Sequence, residues 1–126
     1  MVLNGRLKNL QTEIKQQNFD AVLISKVANI IYLTDYSGFS SEEREAYLLI
    51  TPKKQMIFTD GRYTEAVKKL IPNFALQEIS GKARFKDLLT NVLKENQISK
   101  LGIEEQDLRV SEFKSIKKII KNLKDF

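Results

Sequence analysis

Apolar positions along the chain alternate between a helical period and the continuous runs typical of buried strands. The first helical stripe has apolar residues at steps of four, three and four, namely Leu3, Leu7, Leu10 and Ile14. This spacing predicts an amphipathic helix over residues 2–17. Asn18 can take the left-handed conformation that ends such a helix. The unbroken apolar run at residues 21–25 then predicts a short buried strand.

The same alternation continues through the middle of the chain. Residues 27–33 are predicted as a short helix that packs its isoleucines inward, and residues 34–45 as a polar loop. Residues 46–51 are almost entirely apolar, which predicts a strand at a central position of a sheet. Pro52 favours a turn, because its ring presets the backbone for a turn's second position. Residues 55–59 are therefore predicted as the second arm of a hairpin.

The second half of the chain predicts three further helices and two further strands. Asp60 is expected to cap a helix that ends at Pro72, because its carboxylate can accept from free helical amides. That helix directs four residues inward: Tyr63, Ala66, Val67 and Leu70. Strands are predicted at residues 74–79 and 100–103. They flank a helix whose buried face carries Phe85, Leu88, Leu89, Val92 and Leu93.

The last predicted helix is capped by Ser111. Its apolar positions recur at helical spacing: Phe113, Ile116, Ile120 and Leu123. Five lysines share this helix and fall mainly on its other side: Lys114, Lys117, Lys118, Lys121 and Lys124. The arrangement is typical of a solvated helix face. A nucleic-acid patch is the alternative, since the chain has a formal charge of +5.

Taken together, the elements predict an α/β fold with a three-layer α/β/α sandwich around a mixed sheet of about five strands. The hairpin makes at least one strand pair antiparallel. With 126 residues and no linker or repeat, residues 1–126 are expected to form a single domain.

The composition excludes several kinds of catalytic and metal site. The chain contains no histidine and no cysteine. A Ser-His-Asp triad, a thiol nucleophile and an imidazole or thiolate metal site are therefore excluded for this sequence. Any metal would need ligands that are all oxygen. The lack of cysteine is compatible with a reducing cytoplasm.

Three local features could have a catalytic or binding role, and each also has a simpler structural explanation. Asp60 follows a strand, as a phosphoacceptor aspartate does in receiver domains, but Ser25-Lys26 stands where that fold places acidic metal ligands. Helix capping is the simpler role. Three glutamates in the loop could bind a hard cation, yet the loop lacks a calcium-binding pattern: Glu42, Glu43 and Glu45. Arg44, just before the central strand, could grip a carboxylate through two hydrogen bonds.

Several short motifs in order make the chain similar to the N-terminal domain of the creatinase/prolidase/aminopeptidase P family of Xaa-Pro metallopeptidases. The strongest pair is Asn29-Ile-Ile-Tyr-Leu-Thr34 with Thr59-Asp-Gly-Arg-Tyr-Thr-Glu-Ala66. Further matches are Arg6, Leu10, Asp20-Ala-Val-Leu-Ile-Ser25, the apolar strand to Thr51, and Leu101-Gly-Ile-Glu104. The chain departs from many members at Asp35-Tyr36, where they carry Gly-Phe, and in its charged loop.

The resemblance implies a creatinase/prolidase N-terminal fold with a ribonuclease H-like motif. It also implies that the chain is the non-catalytic part of a metal-dependent Xaa-Pro aminopeptidase or dipeptidase. In such a parent, a separate C-terminal domain binds two divalent metals (Mn, Co or Zn) through carboxylates and a histidine. A chain without histidine lacks that domain, so this fragment is expected to be inactive alone and to bind no metal or cofactor itself.

The resemblance further implies a cytoplasmic homodimer that acts on short proline-containing peptides. The N-terminal domain is expected to contribute to dimerisation and to the walls of the active-site entrance. Arg44 corresponds by its distance from the strand to an arginine that holds a substrate carboxylate across the creatinase dimer. Asp35 and Tyr36 lie in the same loop and are expected to line the same entrance. The alternative is a stand-alone binding module, with nucleic acid as its ligand.

Overall fold

A computed structural model describes the backbone of residues 2–126 and the side chains from Gly5 onward. The helices are α1 (Val2–Gln16), α2 (Val27–Thr34), α3 (Thr64–Leu70), α4 (Phe85–Glu95) and α5 (Val110–Ile119), and a 3-10 turn (Gly61–Tyr63) precedes α3. The strands are β1 (Ala21–Ile24), β2 (Ala46–Ile50), β3 (Gln55–Asp60), β4 (Ala75–Ile79), β5 (Lys100–Ile103) and β6 (Asn122–Asp125).

The strands form one mixed sheet in the order β4-β3-β2-β1-β5-β6. The β2–β3 hairpin and the β1–β2 pair are antiparallel, whereas β1–β5, β3–β4 and β5–β6 are parallel. Strand β2 lies inside the sheet with all five residues buried, which confirms the central position predicted from its apolar run.

Side chains that alternate along each strand build one core on each side of the sheet. On β1, Val22 and Ile24 face the core shared with α1, α2 and α3, and Leu23 faces the core shared with α4 and α5. This alternation follows from the two-residue period of a strand. The helices thus cover both faces, and the predicted three-layer α/β/α sandwich is confirmed. We call the α1–α3 side the first face and the α4–α5 side the second face.

The sheet has six strands rather than about five, because the last predicted helix is too long. Helix α5 ends at Ile119, and Ile120 is extended (φ −140°, ψ 127°). The next residues pair with β5, with Leu123 opposite Leu101. This pairing satisfies the backbone groups of β5, which would otherwise form an open sheet edge. Of the five lysines assigned to that helix, Lys121 and Lys124 therefore lie outside it.

Two smaller predictions about helix ends also need correction. Leu70 is 56% exposed, and Ile71 is buried in its place, because the chain leaves helical geometry at Ile71 (φ −129°, ψ 54°). Ser111 lies inside α5 and not at its cap. The carboxylate of Glu112 accepts instead from the N–H of Arg109 (2.9 Å) at the start of this helix.

Other predicted helix ends are confirmed. Asn18 has a positive φ of 66° just after α1. Asp60 accepts a hydrogen bond from the N–H of Arg62 (3.0 Å) and so caps the 3-10 turn that leads into α3. Among the helices described for residues 2–126, none is long and apolar enough to cross a membrane.

Candidate functional site

The loop of residues 35–45 leaves α2 in a fixed direction. Asp35 takes the left-handed conformation (φ 60°, ψ 20°), and its N–H donates to the carbonyl of Ile31 (2.7 Å). The Thr34 hydroxyl donates to the carbonyl of Ile30 (2.7 Å) and accepts from the N–H of Tyr36 (3.2 Å). The side chain of Asp35 is exposed where the loop begins.

Tyr36 packs its ring across the loop and onto the first-face core. The ring meets Phe39 edge-on at 5.0 Å, and Phe39 in turn meets Tyr63 at 4.8 Å. Gly38 makes this placement possible, because a Cβ at Gly38 would lie 2.1 Å from the Tyr36 hydroxyl. The aromatic stack gives the loop a rigid base on the first face.

A buried carboxylate, that of Glu45, supports the end of the loop. It accepts from the N–H of Ser40 and lies 3.6 Å from the Arg62 guanidinium. The Ser40 hydrogen bond is the main reason that the pKa of Glu45 is lowered. Arg62 also donates to both carboxylate oxygens of Asp60, and these bonds lower the pKa of Asp60.

The guanidinium of Arg44 is held by groups of its own domain. Its Nε and Nη2 donate to the two oxygens of Glu112 (2.8 and 3.0 Å). Nη1 donates to the carbonyl of Ser25 (2.6 Å), and Nη2 also donates to the carbonyl of Asp107 (3.2 Å). A further ion contact of 2.7 Å joins Nη1 to Oδ2 of Asp107 without hydrogen-bond geometry. These contacts occupy every edge of the guanidinium.

The electrostatics of this cluster are those of a tight ion pair. Burial opposes the charge of Glu112, but hydrogen bonds from Arg44 and Tyr47 more than offset it and lower the pKa of Glu112 to about 2. Burial and the bond to Glu112 raise the pKa of the Tyr47 hydroxyl. Glu112 therefore stays ionised at neutral pH, and Arg44 ties the loop to α5.

Arg44, predicted to hold a substrate carboxylate, lies apart from Tyr36, which is predicted to line the entrance. Tyr36 packs against the first-face core, whereas Arg44 lies over the Tyr47 ring (5.6 Å) and against α5 on the second face. Asp35 is exposed at the other end of the loop. The substrate contact of Arg44 stays a prediction, and it would require the guanidinium to leave partners that already surround it.

The loop glutamates do not converge into a metal site. Glu45 turns inward to Ser40, while Glu42 and Glu43 are exposed. Within residues 2–126 as described, no group of three or more acidic side chains is arranged to hold a metal ion.

Two carboxylates, those of Glu104 and Asp20, hydrogen-bond to segments that are distant in the sequence. Glu104, after β5, accepts from the N–H groups of Ser25 (2.7 Å) and Lys26 (2.8 Å) and from the Asn29 side-chain amide. Asp20, before β1, accepts from the Ser99 N–H (2.9 Å), the Ser99 hydroxyl (3.0 Å) and the Lys100 N–H (2.9 Å). The Ser99 N–H is the main cause of the lowered pKa of Asp20.

Sequence reasoning missed the partners of Arg44. Glu112 and Asp107 lie 68 and 63 positions further along the chain, so no local spacing connects them to Arg44. The available signal was a glutamate in the first turn of α5, which is a common capping position. That signal locates a helix start but does not reveal the second role of Glu112.

Comparison with protein-family models decides the family. The model described as "Creatinase/Prolidase N-terminal domain" matches residues 6–126. The chain belongs to the creatinase/prolidase N-terminal domain family. Asp20, Asn29 and Glu104, which make the long-range hydrogen bonds described above, belong to the sequence motifs that suggested this family. Comparison with curated protein sequences gave no match.

Solved structures agree with this assignment. A Xaa-Pro dipeptidase from Bacillus anthracis is similar over 98% of this chain and 34% of its own, with a TM-score of 0.82 and 21% identity. A Xaa-Pro aminopeptidase structure from Streptococcus pyogenes matches 99% of this chain and 90% of its own, with a TM-score of 0.82 and 26% identity.

A third similar structure is the N-terminal domain of the cytoplasmic peptidase PepQ from Mycobacterium tuberculosis. It matches 97% of this chain and 91% of its own, with a TM-score of 0.77 and 24% identity. The present chain thus spans about a third of the Bacillus anthracis dipeptidase.

Proposed function

We propose that this chain is the non-catalytic N-terminal domain of a cytoplasmic, metal-dependent Xaa-Pro aminopeptidase or dipeptidase. The observation that carries the proposal is the family match over residues 6–126, together with a dipeptidase of which the chain covers only a third. The parent would cleave short proline-containing peptides. Its two divalent metals, Mn, Co or Zn, would be bound by a separate catalytic domain, where a metal-bound hydroxide would attack the peptide carbonyl.

Within such a parent, the loop of residues 35–45 would form a wall of the active-site entrance and contribute to a homodimer. What supports this role is that the loop is held at both ends but exposes Asp35, Glu42 and Glu43. Loops positioned by a rigid scaffold are common sites of binding. Asp35 and Tyr36 would line the entrance. Arg44 would act by positioning the loop, since its guanidinium is already paired inside the domain.

Kinetics of loop variants in the full-length parent test this proposal. Replacing Asp35 or Tyr36 by Ala should raise KM for a tripeptide such as Ala-Pro-Ala by at least about fivefold, with kcat within about twofold, because entrance contacts hold substrate and not the reacting bond. Lys15→Ala, an exposed change on α1, is the matched control and should leave KM unchanged. Unchanged KM in both loop variants would refute the entrance role.

The oligomeric role has its own test. Analytical ultracentrifugation of the parent should show a dimer, and the parent with this domain deleted should sediment mainly as a monomer. A deletion that stays fully dimeric would remove dimerisation from the functions proposed for the domain.

A further inference from the structure

A groove on the second face lies between the start of α4 and the middle of α5. It encloses about 310 Å³. Its apolar walls are Tyr47, Phe85, Ile116 and Ile119, and its exposed rim carries Arg84 and Lys86. Glu112 and Ser115 complete the lining. We refer to these eight residues as the α4–α5 groove.

The interior of the groove is mainly apolar. Phe85 stacks on Tyr47 with ring centroids 4.0 Å apart and 10° between the planes, and it meets Phe58 edge-on at 5.3 Å. Ile116 is buried, and Ile119 is half-buried. The polar end of Tyr47 is already bonded to Glu112. The groove thus offers preformed apolar surface of the kind that receives an anchor side chain.

The rim of the groove is cationic. Both rim residues, Arg84 and Lys86, are exposed, and Lys82 lies in the same short segment with Asp87 as its acidic neighbour. On α5, Lys118 is exposed beside Ile119, whereas Lys114 and Lys117 lie on the side of the helix turned away from the groove. The acidic residue of this helix, Glu112, is neutralised by Arg44. An anionic partner would therefore be attracted to this face and oriented on it.

We propose that the α4–α5 groove is a docking site for an acidic segment of a separate partner protein, anchored by one apolar side chain. A volume of about 310 Å³ is at the small end of the roughly 300–1,000 Å³ found for ligand pockets, which suits one side chain better than a cofactor. The groove shares Tyr47 and Glu112 with the Arg44 cluster at the end of the loop, but its proposed role does not depend on the peptidase parent.

Charge and ring geometry favour this occupant over two others. A second copy of the chain would bring two cationic rims together in a protein of net charge +5. Single-stranded nucleic acid binds by stacking bases on exposed aromatic faces. One face of each of the Tyr47 and Phe85 rings is covered by the other ring, which leaves less aromatic surface on which a base could stack.

Fluorescence anisotropy with a defined peptide tests the proposal on the intact 126-residue chain. The probe is a fluorescein-labelled octapeptide with Leu-Phe at its centre and three glutamates on each side. Two matched probes replace either Leu-Phe by Ser-Ser or all glutamates by glutamine. A labelled 12-nucleotide oligo-uridine serves as the nucleic-acid probe. We expect saturable binding of the first probe and at least about tenfold weaker binding of each of the others.

Variants of the chain test where the peptide binds and distinguish the contribution of rim charge from that of groove shape. The Arg84→Glu/Lys86→Glu variant should weaken the first probe at least about tenfold, and Lys8→Glu/Lys15→Glu on the first face, with the same change in net charge, should alter it less than about twofold. Ser115→Trp, which fills the groove without changing charge, should also weaken binding. Circular dichroism confirms that each variant is folded.

The proposal fails if the first probe shows no saturable binding up to about 1 mM, a Kd that corresponds to a binding free energy of about −4 kcal/mol. It also fails if the Ser-Ser probe, the glutamine probe or the oligo-uridine binds equally well, or if the control variant weakens binding equally. Sedimentation showing a dimer that Arg84→Glu/Lys86→Glu abolishes would also overturn it, in favour of a second copy.

Discussion

At the scale of single residues, two arginines each hold a carboxylate through two hydrogen bonds. Arg44 binds Glu112, and the two side chains are 18% and 15% exposed. Arg62 binds Asp60 from a side chain that is 63% exposed. The chemistry of the two pairs is the same, so their contributions to stability should differ mainly through burial.

Replacing each arginine by alanine tests this difference. Arg44→Ala leaves Glu112 and Asp107 poorly solvated without their cation, and we expect it to lower the free energy of unfolding by about 2–3 kcal/mol. Arg62→Ala should cost less, because the Arg62–Asp60 pair is largely exposed to water. Urea denaturation measures both. Equal decreases in the free energy of unfolding would contradict a larger stabilising contribution from the more buried Arg44 cluster.

The same cluster should make stability depend on pH on the acid side. The pKa of Glu112 is lowered to about 2 in the folded state, whereas in the unfolded chain it is about 4.3. A carboxylate with a depressed pKa stabilises the fold above its unfolded pKa, and this stabilisation is lost as pH falls from about 4.3 to 2.

The Glu112→Gln variant isolates this contribution. It should be less stable than the parent chain at pH 7, and the difference between the two should shrink as the pH approaches 2. A residual acid dependence should remain in the variant, because Asp20 and Asp60 also have lowered pKa values. Urea titrations between pH 2 and 7 provide the measurement. A constant difference across this range would contradict the assignment of a low pKa to Glu112.

At the scale of elements, α2 depends on a carboxylate from the far end of β5. Glu104 accepts from two backbone N–H groups and the Asn29 amide at the start of this helix, which has no side-chain cap of its own. Glu104→Gln replaces one acceptor oxygen by a donor, so one of these groups loses its partner. The expected cost is about 1–2 kcal/mol.

Hydrogen exchange shows whether this cost is local. In Glu104→Gln, the amides of α2 should exchange faster, while those of α4 on the other face keep their protection relative to the global stability. Glu105→Gln, an exposed neighbour, is the control and should leave α2 unchanged. Uniform acceleration across all helices would argue that Glu104 supports the whole fold and not α2 in particular.

The elements also show which parts of the fold the sequence could predict. Strands β1 and β2 and helix α1 were predictable, because each has its own hydrophobic period or apolar run. The boundary between α5 and β6 was not, since Ile116, Ile120 and Leu123 fit a helical spacing. The deciding interaction is the pairing of residues 122–125 with β5, about 20 positions earlier, which a local period cannot represent.

The candidate site also has a part that the sequence could predict and a part that it could not. The loop itself, between an identifiable helix and a strand, was predictable from local pattern. The direction of Arg44 was not, because its partners Glu112 and Asp107 are brought near only when α5 packs on the second face. A resemblance could suggest an exposed role for Arg44, but its burial follows from tertiary packing.

At the scale of the whole molecule, the domain has two surfaces with different chemistry. The loop of residues 35–45 exposes three acidic side chains, those of Asp35, Glu42 and Glu43. The α4–α5 groove lies on the second face with a cationic rim. The two surfaces meet at Arg44, which bonds to Glu112 in the groove lining.

The central claim is that this domain belongs to a larger Xaa-Pro peptidase, and the native protein provides the most direct test. An antibody raised against the 126-residue chain should recover, from its source, a polypeptide about three times as long. That preparation should hydrolyse Ala-Pro-Ala at the bond before proline, lose the activity with a chelator and regain it with Mn²⁺. Recovery of a protein without this chelator-sensitive cleavage would contradict the account.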